Sequence, residues 1–189
     1  MSDTLLFFRQ LLNRPAQVSA IAPSSPWLAR AMARGLGPQT GKVVEFGPGT
    51  GALTAGILAA GVAPRDLTLF EMSSDFASHL AQRFPGVTIH NTGAQQARNL
   101  MQDQVGAVVS GLPLLSMPPD LRYSIVKAAF DVLRPGGFYI QFTYGPRPPI
   151  TPDQIAQLGL SVDTGVKVWL NLPPARVFSF CRKSEAAAQ

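Results

Sequence analysis

Cysteine is almost absent from this chain, and charged residues are scarce. The 189 residues include one cysteine, Cys181, which excludes an internal disulfide and argues against a cysteine-rich metal site. Charged residues make up 14% of the chain and hydrophobic residues 46%, a composition that argues against disorder for most of its length. A chain of this size is most simply one domain with a full core. We therefore expect one folded domain and no metal.

Long apolar runs are absent as well. No run of residues approaches membrane-spanning length, and the first four residues, MSDT, lack the basic region of a secretory signal. We therefore expect a cytoplasmic protein. Acidic residues are outnumbered by basic ones, 11 to 16, which gives a formal net charge of +5 and a pI near 9.9. Such a surface tolerates anionic partners, whether phospholipid or nucleic acid, without choosing between them.

The sequence does contain a glycine-rich turn between a short apolar strand and a helix, in the segment VVEFGPGTGAL. Glycines let backbone approach a ligand closely, and the following helix N-terminus offers free N–H donors. Gly47, Gly49 and Ala52 satisfy the dinucleotide fingerprint G-x-G-x-x-G/A. The additional Gly51, and Glu45 before the first glycine, favour the acid-x-G-x-G-x-G loop of S-adenosylmethionine-dependent methyltransferases. A glycine turn that binds nothing is the other alternative.

A second acid follows the next apolar strand, LTLF. Glu71 lies where a ribose-binding acid belongs in either nucleotide-binding family. By itself it would be interpreted as a solvated acid at a strand end, but its spacing from the glycine loop favours the ribose. Thr50 in the loop and Met72 after the acid complete this part of the predicted cofactor site.

Predicted strands and helices alternate along the rest of the chain. Helices are predicted at 26–34, capped by Ser25, at 75–83, capped by Ser73 or Ser74, and at 94–102 and 118–133; strands are predicted at 67–71, 87–90, 107–110 and 138–144. This alternation predicts a parallel, doubly wound sheet. Two further strands, 160–170 and 176–182, read as a terminal hairpin. The predicted fold is therefore α/β and Rossmann-like, the class I methyltransferase fold, with a mostly parallel seven-stranded sheet and a C-terminal antiparallel hairpin.

Three segments are expected: an N-terminal helical segment at 1–34, the methyltransferase domain at 35–184 and a disordered tail at 185–189. The opening TLLFFRQLL is unusually apolar, with Arg9 and Arg14 beside its leucines and phenylalanines. It predicts either a helix that covers the core or an amphipathic helix that contacts anionic lipid head groups and forms a lid over the cofactor.

Five segments of the sequence carry a family resemblance. The segments SGLPLLSMP, QFTYGP and WLNLPPARVF, together with VVEFGPGTG and the opening FFRQLLNRPAQVSAIAPSSPWLARAMA, make nearly the whole chain similar to the soluble bacterial phospholipid N-methyltransferases. The resemblance implies S-adenosylmethionine as cofactor and stepwise methylation of the amine of phosphatidylethanolamine, up to phosphatidylcholine. It also implies peripheral association with the inner face of the cytoplasmic membrane.

Two alternative acceptors accompany this expectation. Some relatives of the family methylate ornithine lipids, and the ribosomal RNA adenine N6-dimethyltransferases share the fold and a related Asn-Leu-Pro loop more weakly. An RNA acceptor is less expected, because RNA recognition would call for a larger basic surface or an added RNA-binding domain. A non-catalytic nucleotide-binding module is the third possibility, and the oligomeric state is not predicted.

The loop after the fourth strand is predicted to face the same crevice as the glycine loop. Ser110, Gly111 and Leu112 are assigned to the catalytic site, where small residues admit the methyl acceptor and carbonyl groups hold its amine. Ser110 is assigned to the cofactor as well. One departure concerns the turn after the third strand, where related families often carry Gly-Asp-Ala. This chain has Thr-Gly-Ala, so Gly93 and Ala94 are assigned to the cofactor without an acid for the adenine.

Tyr144 follows the fifth strand and is the favoured acceptor-site residue. Its hydroxyl is expected to bond the lipid phosphate, or its ring to meet the growing ammonium. Arg147 and Arg176 are expected to pair with the phosphate, since arginine binds phosphate bidentately. The two histidines, His79 and His90, are interpreted as structural.

Overall fold

A seven-stranded sheet forms the centre of the protein in the computed structural model, which describes residues 24–101 and 104–183. Its strands are β1 (Val43–Phe46), β2 (Leu67–Phe70), β3 (Thr88–His90), β4 (Val105–Ser110), β5 (Leu133–Thr143), β6 (Leu160–Val168) and β7 (Ala175–Arg182). Their order is β3-β2-β1-β4-β5-β7-β6, with β7 antiparallel to both its neighbours and the other pairs parallel. The predicted sheet, with its terminal antiparallel hairpin, is confirmed.

Six α-helices lie in the described ranges: α1 (Pro26–Met32), α2 (Ala52–Ala59), α3 (Ser74–Arg83), α4 (Ala97–Leu100), α5 (Pro119–Val132) and α6 (Pro152–Gln157). Their starts follow local chemistry. The Ser25 hydroxyl accepts a hydrogen bond from the amide of Leu28, and proline occupies the first turn of α1. Ser73 caps α3 in the same way. Both caps were among those that the sequence predicts.

The core is divided by the sheet into two layers, because side chains alternate between its faces. On one face Val44, Phe46 and Tyr139 pack against α4 and α5. On the other face Val43, together with strand residues of β2 and β4, packs against α1, α2 and α3. Glu45 shares this second face with Val43, so the acid that precedes the glycine loop lies inside the protein.

The start of β5 differs from the prediction. The sequence RPGG at 134–137 predicts a turn after α5, yet the strand already begins at Leu133. Val105 of β4 pairs with Leu133, and Ala107 pairs with Phe138, so the turn residues bulge out of a continuous strand. Gly136 has a φ of +75°, which accommodates that bulge. A turn signal in the sequence does not tell a bulge from a strand boundary.

Smaller differences concern boundaries. The predicted helix 94–102 consists of a 3₁₀ turn, Ala94–Gln96, followed by α4, and α6 is not predicted at all. Among the described residues no helix is both long and apolar enough to cross a bilayer, and no group of three metal-binding side chains occurs. The opening segment 1–23 and the tail 185–189 lie outside the described residues, so the amphipathic helix, its lid role and the domain boundaries stay predictions.

Candidate active site

The glycine loop and the loop after β4 meet where the order of the sheet reverses. From β1 the chain proceeds to β2 and β3 on one side, while β4 and β5 lie on the other. Such a switch point opens a crevice beyond the carboxyl ends of the strands. Here a Cβ on Gly111 would lie 2.7 Å from the carbonyl oxygen of Gly47. The two loops therefore touch backbone to backbone, as the sequence predicts for residues sharing one crevice.

Each glycine of the loop has a left-handed conformation, but their surroundings differ. Gly49 has a φ of +55°, and a Cβ there would meet nothing within 4 Å. Gly51 has a φ of +84°, and a Cβ there would lie 2.5 Å from the ring of Phe84. Arg83 donates to the carbonyl oxygen of Thr50 at 2.6 Å. The loop is thus packed against α3 at its end and faces open space at Gly49.

Glu71 joins the loop to the end of β2. Its Oε2 accepts from the amide of Gly49 at 3.1 Å, and its Oε1 accepts from the amide of Ser73 at 2.8 Å. Glu71 as a whole is 8% exposed, and burial raises the pKa of its carboxyl group against the lowering effect of these amide hydrogen bonds. The side chain of Asn91 donates to the Glu71 carbonyl oxygen at 2.8 Å. The predicted ribose-binding acid is therefore held rigidly beside the predicted loop.

Glu45 lies entirely inside the protein, below the loop. The hydroxyl of Thr54, in α2, donates to its Oε2 at 2.7 Å, while its Oε1 has no hydrogen-bond partner among the described residues. Burial raises the pKa of Glu45 to about 8; the Thr54 hydrogen bond lowers it and the nearby charge of Glu71 raises it further. Glu45 is therefore largely protonated at neutral pH.

The remaining predicted cofactor residues follow β2 and β3. Met72 is partly exposed after Glu71, and Ala94 is buried. A Cβ on Gly93 would lie 2.5 Å from Oε1 of Gln95. The Gln95 side chain thus folds back over the position at which related families carry an acid, and it supplies an amide there.

The loop after β4 is held from below by a buried polar network. The Gln141 side chain donates to the Leu112 carbonyl oxygen at 3.0 Å and accepts from the Tyr139 hydroxyl at 2.7 Å. Ser110 is fully buried, and its Oγ accepts from the amide of Leu112 at 3.4 Å. Burial raises the pKa of Tyr139, and its hydrogen bond with Ser110 lowers it. Neither Gln141 nor Tyr139 was predicted to have a role, although a glutamine in the apolar strand FYIQFT was a usable signal.

Beyond the carboxyl end of β5 lies a cavity of about 270 Å³. Its lining combines two predicted acceptor-site residues with a second cation: Tyr144, Gly145, Pro146, Lys167, Pro174 and Arg176. Arg176, at the start of β7, pairs with Thr143, the last residue of β5. The cavity therefore lies at the same edge of the sheet as the glycine loop, the edge formed by the carboxyl ends of the parallel strands. Arg147 is exposed and does not line it, and Lys167 was not predicted.

Tyr144 is tied to the loop between β6 and β7. Burial raises the pKa of Tyr144, and a hydrogen bond with Asn171 lowers it. Asn171 is 3% exposed; its Oδ1 accepts from the amide of Ser25 at 3.0 Å, and its Nδ2 donates to the carbonyl oxygen of Pro173 at 2.8 Å. One asparagine thus connects the start of α1, the β6–β7 loop and the predicted acceptor site. The NLPPAR motif contains this asparagine, but its side chain was not predicted to have a role.

Solved structures share this architecture. The 1,6-didemethyltoxoflavin-N1-methyltransferase of Burkholderia thailandensis, with bound S-adenosylhomocysteine, superposes with a TM-score of 0.70 at 14% identity, over 96% of this chain and 88% of that one. The glycopeptide N-methyltransferase MtfA, in complex with S-adenosylmethionine, gives 0.67 at 15% identity, over 86% and 96%. At these identities the likeness shows the fold.

Sequence similarity decides the family. No protein-family model matches the chain. An ornithine lipid N-methyltransferase from Singulisphaera acidiphila is 32% identical over 191 aligned positions, which span 96% of this chain and 97% of that enzyme. The chain belongs to this methyltransferase family. The methyltransferase uses S-adenosylmethionine, the cofactor with which the fold's neighbours are complexed, and the predicted class I fold and cofactor are both confirmed.

The described residues of the methyltransferase fit this cofactor. The open space at Gly49 admits a ligand against the backbone, Glu71 presents a carboxylate to ribose hydroxyls, and Oε1 of Glu45 is a buried polar atom below the loop with no hydrogen-bond partner among the described residues. When bound, S-adenosylmethionine supplies an already activated methyl group on a sulfonium sulfur. The chain therefore has mainly to position and orient the acceptor nitrogen and to exclude water.

Proposed function

We propose that this methyltransferase N-methylates the primary amine of a lipid head group, and that its preferred acceptor is an ornithine lipid. The observation that carries the proposal is the likeness to an ornithine lipid N-methyltransferase along nearly the whole of both chains. Sequence motifs alone put phosphatidylethanolamine first and ornithine lipid second. The relative favours the second, and phosphatidylethanolamine stays a prediction that the same experiment tests.

The cavity beside β5 supports an acceptor that pairs an amine with an anion. Arg176 is partly buried at its wall, and Lys167 contributes a second positive charge. Neither side chain forms an ion pair with a carboxylate in the described part of the chain. Arginine binds carboxylate and phosphate bidentately, so these cations suit the free carboxylate of an ornithine lipid as well as a phosphodiester.

Tyr144 supports the amine end of the same acceptor. Because burial raises its pKa, the phenol stays neutral around neutral pH and acts as a hydrogen-bonding group rather than as a base. Its ring also offers an electron-rich face to an ammonium that gains methyl groups and loses N–H donors. Tyr144 therefore suits an acceptor that is methylated more than once.

The acceptor is identified by where the label goes. The purified enzyme is incubated with methyl-labelled S-adenosylmethionine and with anionic vesicles that contain either ornithine lipid or phosphatidylethanolamine, or with ribosomal RNA. We expect label in ornithine lipid, in products with one or more methyl groups. Label confined to phosphatidylethanolamine would contradict ornithine lipid as the acceptor and put phosphatidylethanolamine in its place. Label confined to RNA would overturn the assignment to a lipid.

Two arginine substitutions sharpen the assignment to the cavity. Arg176→Gln removes a cation from the cavity wall, whereas Arg147→Gln removes an equal charge from the exposed surface. A charge-assisted hydrogen bond contributes about 1.5–3 kcal/mol. We therefore expect Arg176→Gln to raise the KM for the lipid by roughly tenfold or more and Arg147→Gln to leave it almost unchanged. Equal effects of the two variants would remove the cavity from substrate binding.

A further inference from the structure

The loop between β6 and β7 carries a cluster of exposed large apolar side chains. Trp169 is 70% exposed, Leu170 66% and Leu172 85%, the three highest values among the exposed large hydrophobic residues described. Leu115, in the loop after β4, is also exposed at this edge of the sheet. Adjacent apolar side chains of this size on a protein surface mark an interaction site more often than chance exposure does.

This loop is fixed in place rather than frayed. Asn171 lies between the two exposed leucines, yet it is almost completely buried. Its amide group bonds the Pro173 carbonyl oxygen within the loop and the Ser25 amide at the start of α1. Burying the asparagine directs Leu170 and Leu172 outward on either side of it. The apolar surface is thus preformed, at no further ordering cost to a partner.

Positive charge adjoins the apolar side chains. Nζ of Lys167 lies 3.7 Å from the ring centre of Trp169, and Arg176 is on the neighbouring strand, where it pairs with Lys167. Both cations line the cavity that contains Tyr144. The exposed loop and the predicted acceptor cavity therefore share one rim.

We propose that the β6–β7 loop, residues 169–174, docks on an anionic bilayer and places the mouth of the cavity at the level of the lipid head groups. This inference rests on the proposed function for the identity of the acceptor, but the docking itself does not. It assigns membrane contact to a described surface of the domain, separate from the opening segment for which an amphipathic helix is predicted.

The chemistry of the surface favours a bilayer over a second copy of the chain. Tryptophan beside lysine is the pairing found at the boundary between acyl chains and head groups. The cores of protein interfaces, by contrast, are depleted in lysine. The net charge of +5 adds a general attraction to anionic lipid, and the same charge would repel an identical chain.

The two tryptophans of the chain provide a direct test. Trp27→Phe leaves Trp169 as the single tryptophan, and Trp169→Phe leaves Trp27, which lies in α1. Both proteins are titrated with vesicles of phosphatidylcholine and phosphatidylglycerol, and with the same vesicles carrying brominated acyl chains. We expect the emission of Trp169 to shift to the blue and to be quenched by the brominated chains, more strongly than that of Trp27. Emission of Trp169 that stays unchanged while the protein sediments with vesicles would overturn the proposal.

A charge substitution tests the same surface without relying on fluorescence. Leu172→Asp should lower the vesicle partition coefficient by at least about tenfold, since it removes one apolar side chain that docking would bury in the bilayer and adds a negative charge that anionic lipid repels. Leu100→Asp is the matched control: Leu100 is also exposed but ends α4 at the opposite edge of the sheet. Equal losses in the two variants would contradict the docking surface.

Activity and self-association separate the remaining outcomes. Leu172→Asp should lose methylation of vesicle-borne ornithine lipid and keep methylation of the same lipid dispersed in detergent. If no amine lipid is methylated in either form, the proposed function fails, and the fluorescence of Trp169 still decides the docking. A wild-type dimer in sedimentation velocity that Leu172→Asp dissociates would assign the surface to a second copy and overturn the proposal.

Discussion

The sheet has two lateral ends, with β1 and β2 towards the edge strand β3 and with β5 and β7 towards the edge strand β6, and these two ends are built in different ways. Around β1 and β2 the predicted cofactor site consists of backbone, left-handed glycines and two buried acids, with Glu71 held by two amides. Around β5 and β7 the cavity is lined by long side chains, Lys167 and Arg176, and bordered by the exposed apolar loop. The first end is fixed by close contacts, whereas the second is defined by groups that project from the surface.

This contrast shows how one fold serves a constant donor and a changing acceptor. A site made of backbone admits few substitutions, because any added atom meets the ligand or a neighbouring loop. A site made of exposed side chains changes its charge and apolar character by single substitutions that leave the sheet intact. We therefore expect substitutions at the glycine loop to abolish binding and those near Tyr144 to alter rate and choice of acceptor.

The largest effect is expected at Gly49. Gly49→Val should abolish the rise in melting temperature that S-adenosylmethionine causes, because the branched side chain fills the space where ligand meets backbone. Gly35→Val is the matched control, since Gly35 also has a positive φ and a Cβ added there would meet nothing within 4 Å. Both variants should lose about 1–2 kcal/mol of stability from the left-handed conformation. Thermal shifts measured with and without cofactor check this, and a retained shift in Gly49→Val would contradict it.

Gly111 tests the contact between the two loops. In Gly111→Ala the new methyl group would lie 2.7 Å from the carbonyl oxygen of Gly47, so backbone must move. We expect a loss of about 1–3 kcal/mol in the free energy of unfolding, together with weaker cofactor binding. In Gly145→Ala the added methyl group would lie 3.7 Å from Leu115, an ordinary contact, and stability should change little. Urea denaturation of both variants measures the difference; equal values would contradict the close approach.

The buried acid Glu45 makes stability depend on pH. Its folded-state pKa, about 8, is above the ordinary value of 4.5, so the folded protein holds a proton that the unfolded chain releases. The stabilising contribution is complete below pH 4.5 and is lost as the pH rises towards 8, by about 1.4 kcal/mol per pH unit at most. Glu45→Gln, neutral at every pH, should show a flatter decline between pH 5 and 8. Parallel declines in denaturant titrations of wild type and variant would rule out Glu45 as the cause.

The smallest effect is expected at Tyr144. Tyr144→Phe removes one hydroxyl, whose hydrogen bond is worth about 0.5–1.5 kcal/mol, so turnover should fall roughly threefold to tenfold. Cofactor affinity should stay unchanged, because Tyr144 belongs to the other end of the sheet. Tyr123→Phe, in α5, is the control. Full activity of Tyr144→Phe at every methylation step would exclude the hydroxyl, and Tyr144→Ala would then test the ring.

Local signals explain what the sequence predicts well. The glycine loop, the acid after β2 and the caps Ser25 and Ser73 each depend on neighbours within a few residues, and all lie where the sequence puts them. The alternation of strands and helices was sufficient for the sheet. The predicted start of the fifth strand at 138 was wrong, because the proline and glycines at 134–137 form a bulge within β5. Proline and glycine occur both in bulges and at strand boundaries, so the sequence does not distinguish the two.

Long-range contacts explain what was missed. Gln141, in β5, acquires its role by reaching the Leu112 carbonyl oxygen just after the neighbouring strand β4, and Lys167 lines the cavity only because β6 lies beside β7. The spacing of residues within one strand does not predict contacts with residues of another strand or loop. The functional roles of the predicted site residues remain predictions; the structure adds where each one lies.

The Ser25–Asn171 contact joins residues 146 positions apart, which makes the amide of Ser25 a reporter on the order of assembly. Hydrogen exchange at this amide can slow only after the terminal hairpin has joined the sheet, since its acceptor belongs to the β6–β7 loop. Contacts of such separation form late in folding because loop closure precedes them. Measuring when the Ser25 amide becomes protected from exchange during folding would thus report when the β6–β7 loop has docked beside the predicted acceptor cavity.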